Sequence, residues 1–225
     1  MPTSPPETVA DPKPHAERLS RLAGLYAIVG GPDLVERARA AIEGGARAVQ
    51  VRWKDAPSGA VLDAARKVVE LARGRALVIV NDRADLALLS GADGVHVGGE
   101  DLPVAVARRL VGPDLLVGRT CRTFEEAKWA LADGADHVGF GPMFATTTKE
   151  VGVPPRPISA LREVAGSLGA PVVAISGITL ETIGGIAAAG AACAAVIGDL
   201  FDRGDPLERA RLLAAAFEEG RRGTP

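Results

Sequence analysis

The chain has 225 residues, a formal net charge of −2 and 47% hydrophobic residues. That apolar share suffices for a sizeable core, and the length suits one α/β barrel. The near balance of charge excludes a global field that would drive binding to nucleic acid or acidic membrane, so any anion site must be local. No run of about eighteen apolar residues, the length of a membrane-spanning helix, occurs. The two cysteines, Cys121 and Cys193, give neither a disulfide framework nor a zinc spacing. They read as small buried hydrophobes in a reducing, cytoplasmic setting.

In chain order, residues 1–14 (MPTSPPETVADPKP) come first; they are proline-rich and lack the apolar core of a signal peptide. A disordered or loosely ordered tail is expected over 1–20, and a catalytic domain over 21–220. Apolar β-branched runs then alternate with amphipathic runs rich in Ala and Leu. Strands are predicted over Leu25–Val29, Ala48–Lys54, Ala76–Asp82, Gly94–Val97, Leu115–Thr120, His137–Gly141, Val172–Ser176 and Ala194–Gly198. Helices are predicted over Leu34–Glu43, Gly59–Ala72, Ala84–Leu89, Pro103–Leu110, Phe124–Ala132, Ile158–Leu168, Leu180–Ala188 and Pro206–Glu219. The unit helix, Gly-Ala, strand recurs at Gly45-Ala46, Gly91-Ala92, Gly134-Ala135 and Gly190-Ala191. Glycine ends the helix and a small residue lets it pack on the next strand. The repeat has the size of one βα unit, and eight βα units argue a single closed (β/α)8 TIM barrel. The alternative is an open doubly wound sheet, which would carry a glycine-rich phosphate loop after its first strand. Gly30-Gly31-Pro32-Asp33 has neither dinucleotide nor P-loop spacing.

In a barrel, chemistry sits at the carboxyl ends of the strands. In Gln50-Val51-Arg52-Trp53-Lys54, alternation puts Gln50, Arg52 and Lys54 on one face and Val49, Val51 and Trp53 on the other. An amide, a guanidinium and an ammonium in a row suit an anion, although an edge strand with a solvated polar face reads the same way. Asp82 and Asp101 follow neighbouring strands. Two carboxylates completed by phosphate oxygens and water suit Mg²⁺; the alternative is that each caps the next helix, and Glu100 competes as ligand. The loop 145–157 is long for a βα connection and holds Thr146, Thr147, Thr148 and Lys149, hydroxyls beside an ammonium that suit phosphate. Its glycine and prolines suggest a lid. Gly177 and Gly198, at the last two strand ends, let backbone N–H groups approach a second anion. Two anion sites in one mouth fit a pair of phosphorylated substrates.

These pieces together resemble the thiamine phosphate synthase family. They are Gln50-Val-Arg52-Trp-Lys54, Asn81-Asp82-Arg83, Gly94-Val-His96-Val-Gly-Gly-Glu-Asp101, Gly139-Phe-Gly-Pro-Met-Phe-Ala-Thr146-Thr-Thr148-Lys149 and Ile175-Ser-Gly177-Ile178. The resemblance spans residues 22–218. It implies a Mg²⁺-dependent transferase that joins a pyrimidine diphosphate to a thiazole phosphate, through a pyrimidine carbocation, with release of pyrophosphate. It places Asp82 and Asp101 on Mg²⁺, and Gln50, Arg52, Lys54, Asn81 and Lys149 on the pyrimidine diphosphate. It puts Thr120 where the family usually has Ser, and Thr146, Thr148, Gly177, Ile197 and Gly198 on the thiazole phosphate. Arg52, Lys54 and Lys149 would carry catalysis by neutralising the leaving group, and His96 is expected to pack. The chain departs from the family at Gly98-Gly99, Arg119, Cys121-Arg122, Ser176 and Asp199. A carboxylate at Asp199 is unfavourable beside a phosphate unless it caps the final helix or faces away. A related barrel, the thiazole tautomerase, and a non-catalytic phosphate-ligand sensor are the other readings. No nucleic acid or membrane partner is expected, and a homo-oligomer is compatible with the sequence.

Overall fold

The computed structural model describes residues 15–145 and 153–223. Eight parallel strands form a closed barrel, each paired with the next and the last with the first. They are β1 (Gly24–Val29), β2 (Ala48–Val51), β3 (Leu77–Asn81), β4 (Gly94–Val97), β5 (Leu116–Cys121), β6 (His137–Phe140), β7 (Val172–Ala174) and β8 (Cys193–Val196). The helices are α1 (His15–Ser20), α2 (Leu34–Glu43), α3 (Ser58–Ala72), α4 (Ala84–Ser90), α5 (Val104–Val111), α6 (Phe124–Ala132), α7 (Ile158–Ser167), α8 (Leu180–Ala188), α9 (Gly198–Phe201) and α10 (Pro206–Arg222). The open doubly wound alternative is therefore set aside by closure between β1 and β8.

Each strand is apolar on both faces because one meets the helices and the other the barrel interior. The outer layer packs Val49, Val51, Val78, Val80, Val95 and Val117 against helix residues such as Leu34, Val68 and Phe217. The inner layer gathers Tyr26, Ala48, Leu77, Ile79, Leu116, Val173, Cys193 and Ala195, with Leu22 entering from below. Both cysteines are buried, and burial raises both thiols, Cys121 to about 12. They stay protonated and inert.

The aspartates that follow two of the Gly-Ala steps tie adjacent strands together. Asp93 accepts from the backbone N–H of Val78 at 2.9 Å, and Asp136 from that of Val117 at 2.7 Å. Residues 15–20, placed in the tail by their sequence, instead form α1. Its Arg18 is buried and donates to Asp93 (3.1 Å) and to the carbonyl of Asp114 (3.0 Å), and His15 pairs with Asp136 at 2.8 Å. This helix closes the end of the barrel opposite the strand carboxyl termini. The remaining expected tail, 1–14, lies outside the described residues.

Candidate active site

Above the inner layer a cavity of about 600 Å³ opens at the carboxyl ends of the strands. It is lined by Gln50, Arg52, Lys54, Asn81, Asp82, Asp101, Thr120, Gly177, Ile197 and Gly198. Every expected site residue within the described part of the chain therefore reaches one cavity. Thr146, Thr148 and Lys149, with most of the expected lid, lie outside the described residues.

Several expectations need correction in detail. β2 stops at Val51, so Arg52 and Lys54 stand beyond the strand. The ladder still reaches Arg52, whose N–H donates to the carbonyl of Val29 at 2.8 Å, and this keeps the alternation in step. The polar row is not a solvated edge. Gln50 is buried, and its amide donates to the Tyr26 hydroxyl at 3.0 Å. β7 and β8 likewise end before Ser176 and Gly198, and Gly198 opens α9 instead of closing a strand.

The two carboxylates do not cap helices. α4 has Arg83 at its N-cap and α5 has Pro103, neither with a side-chain cap bond. Asp82 sits at φ 62°, a left-handed conformation that Asp tolerates better than most residues. This turns its carboxylate toward Lys54, whose Nζ is 2.9 Å away. Asp101 folds back over its own turn and accepts from the Gly98 N–H at 2.8 Å. A side chain at Gly98 would crowd that carboxylate, with its Cβ 2.8 Å from Asp101 Oδ2. Burial and the neighbouring Asp101 carboxyl hold Asp82 above the usual carboxylate range, against the opposing pull of Lys54. Glu100 does not line the cavity.

The departures from the resembled family acquire physical reasons. Arg119 donates to the carbonyls of Gly98 and Gly99, the second at 3.4 Å, so it braces the turn that carries Asp101. Asp199 lines the cavity, but its charge is met by Arg209. Its side chain forms a two-pronged pair with Arg209 at 2.8 Å and accepts from the Leu180 N–H at 3.0 Å. Ser176 adopts φ 74° and Gly177 φ 68°. At Gly177 a Cβ would lie 2.8 Å from that of Phe144, so the turn packs directly on the start of the β6–α7 loop.

Tyr26, Arg122, His137 and Arg203 also line the cavity without having been singled out as site residues. For Tyr26 and His137 the strand alternation held a usable signal. Tyr26 shares its face with Ile28, and His137 shares its face with Gly139 and Gly141. His96 is buried as expected, but it faces the cavity and bonds Thr120 Oγ1 at 2.9 Å.

A parallel barrel whose carboxyl rim gathers Arg52, Lys54 and a close carboxylate pair defines a barrel enzyme built to hold anionic ligands. Residues 25–200 match the family model described as thiamine monophosphate synthase, and the chain belongs to that family. It is 63% identical to the thiamine-phosphate synthase of Anaeromyxobacter dehalogenans, covering 95% of this chain and 96% of that one. It is 47% identical to that of Myxococcus xanthus, covering 95% and 99%. Among solved structures, the thiamine phosphate pyrophosphorylase of Pyrococcus furiosus superposes with a TM-score of 0.80 at 33% identity, over 89% of this chain and 98% of that one.

Proposed function

We propose that this chain condenses an aminopyrimidine bearing a diphosphooxymethyl group with a thiazole phosphate, giving thiamine monophosphate and pyrophosphate. The observation that carries the reading is the convergence of Gln50, Arg52, Lys54, Asn81, Asp82 and Asp101 on one cavity, in a chain closely similar to thiamine-phosphate synthases over nearly its whole length.

The donor set fits Mg²⁺. The Asp101 carboxyl raises the proton affinity of Asp82, a repulsion that a cation between them would relieve, and Mg²⁺ takes one or two carboxylates with water and phosphate oxygens. No three His, Cys, Asp or Glu side chains converge among the described residues, so Asp82 and Asp101 would hold the ion and the substrate would complete its shell. When bound, the ion supplies positive charge against the departing diphosphate.

Arg52 and Lys54, with Lys149 from the motif after β6, neutralise that same developing charge. The bond from the pyrimidine methylene to the diphosphate oxygen breaks, and its electron pair leaves with the diphosphate. Positive charge spreads over the aminopyrimidine ring. The thiazole nitrogen donates its lone pair to the methylene carbon and forms the new C–N bond, so the protein supplies no nucleophile. Gln50, Asn81 and Thr120 orient the pyrimidine. Thr146, Thr148, Gly177, Ile197 and Gly198 hold the thiazole phosphate.

The test is pyrophosphate release from purified protein. Release is expected only with both phosphorylated substrates and Mg²⁺ present. Turnover of a carboxylated thiazole phosphate without metal would instead mark a tautomerase, and binding without turnover a sensor.

A further inference from the structure

Beneath the cavity, His137 is fully buried, and neither of its ring nitrogens has a hydrogen-bond partner in the structure. A buried polar group left so costs about 1–3 kcal/mol, so the ring calls for an explanation. On adjacent strands, His137 stands in register with Gly118, and Gly118 with His96. The two imidazoles occupy the space that a side chain at Gly118 would take. A Cβ there would overlap His137 Nε2 and lie 2.6 Å from His96 Nδ1. The ring centroids are 5.9 Å apart and the planes meet at 37°. His137 Nε2 and His96 Nδ1 therefore face one hollow, and the other nitrogen of His96 reaches Thr120 Oγ1 at the cavity wall.

We propose that His137 is a positioning residue: across the Gly118 hollow it sets the tautomer of His96, and through His96 it makes the Thr120 hydroxyl a hydrogen-bond donor toward the cavity. Both rings are buried, which favours the uncharged imidazole, so each carries a single N–H. An orphaned acceptor is tolerated more readily than an orphaned donor. The proton of His137 therefore belongs on Nε2, facing the hollow, and its Nδ1 is the atom left without a partner. A turn of the His137 ring, which leaves the His96–Thr120 bond in place, would aim that N–H at the lone pair on His96 Nδ1. His96 then holds its own proton on Nε2 and donates it to Thr120 Oγ1. The Thr120 proton is left pointing into the cavity, where it selects an acceptor. Under the function proposed above, on which only this last step rests, the acceptor is a ring nitrogen of the aminopyrimidine.

Nitrogen-15 NMR of the histidine rings, on the full chain without substrate, is the direct test. A single His96 tautomer protonated on Nε2 is expected. His137→Phe should mix the two His96 tautomers, and His137→Gln, which returns an N–H near the position of Nε2, should restore one. Kinetically, His137→Phe should raise KM for the pyrimidine diphosphate about tenfold and leave KM for the thiazole phosphate unchanged, with His137→Gln recovering most of the loss. A wild-type His96 protonated on Nδ1, or a tautomer indifferent to His137→Phe, overturns the proposal. The wild-type spectrum decides even if the Phe variant fails to fold. It also decides if the protein turns over neither substrate, an outcome that would instead refute the proposed function.

Discussion

Asp82 combines an unfavourable backbone conformation with an unfavourable charge environment. Its carboxyl is held above the usual carboxylate range by burial and by Asp101. A carboxyl whose folded pKa exceeds its unfolded value penalises folding once the pH rises past the unfolded value, and the penalty disappears in acid where both states are protonated. Asp82→Asn should therefore raise the melting temperature of chelator-treated protein at neutral pH, with the gain fading as the pH falls below the carboxylate range. The same change should remove the upward shift that Mg²⁺ gives the wild type. A variant that still responds fully to Mg²⁺ would take Asp82 off the metal. Ser176 stores strain of a simpler kind, a side chain at φ 74° where glycine is at ease. Ser176→Gly should add about 1 kcal/mol to stability in urea denaturation; an unchanged midpoint would mean that the hydroxyl returns what the backbone loses. Under the proposed function, Lys149→Ala should lower kcat about 10²-fold, because the interaction assigned to it strengthens at the transition state. Unchanged turnover would remove Lys149 from the chemistry.

At the scale of elements, closure of the helical ring depends on α10, which packs on α8 and also reaches α2. The approach to α8 is backbone to backbone. A Cβ at Gly220 would overlap the Gly184 carbonyl and lie 2.7 Å from the Gly184 Cα. Gly220→Ala should cost about 1–3 kcal/mol by forcing the helices apart, despite the better intrinsic helix propensity of alanine. A neutral or stabilising result would show that α10 shifts freely. The eight strands and their alternating helices were legible because buried parallel strands and amphipathic helices write different periods into the chain. What escaped has local causes. α1 is a six-residue helix held by Arg18 and His15 reaching aspartates far along the chain, and no periodicity announces that. α9 is four residues long and begins where β8 was expected to end. β2 read as longer than it is because its ladder and alternation reach Arg52, one residue past the end of the strand.

For the molecule as a whole, the rim of the cavity was easier to read from sequence than its floor. Rim residues lie at strand ends and keep charges that a core would reject, so Arg52, Lys54, Asp82 and Asp101 stood out. Floor residues take their meaning from partners on neighbouring strands, one or two strands away. Tyr26 meets Gln50, and His137 faces His96 across a glycine. That floor makes the barrel sensitive to acid. Both rings titrate near pH 6.5 when unfolded, but in the barrel His96 is lowered to about 4 and His137 to about 3. Between those values the unfolded chain binds protons that the folded chain refuses, so this contribution to stability is complete above pH 6.5 and is lost as the pH falls toward 3. His137→Phe keeps an aromatic ring in the hollow and removes one of these protons. Urea denaturation across this range should show the variant losing stability less steeply than the wild type, by about 1.4 kcal/mol per pH unit where the full proton difference applies. Carboxylates titrating in the same range affect both proteins alike and drop out of the comparison. Equal slopes would mean that His137 is already protonated in the folded barrel, and a charged ring there has no lone pair to leave unpartnered and no neutral tautomer to impose on His96.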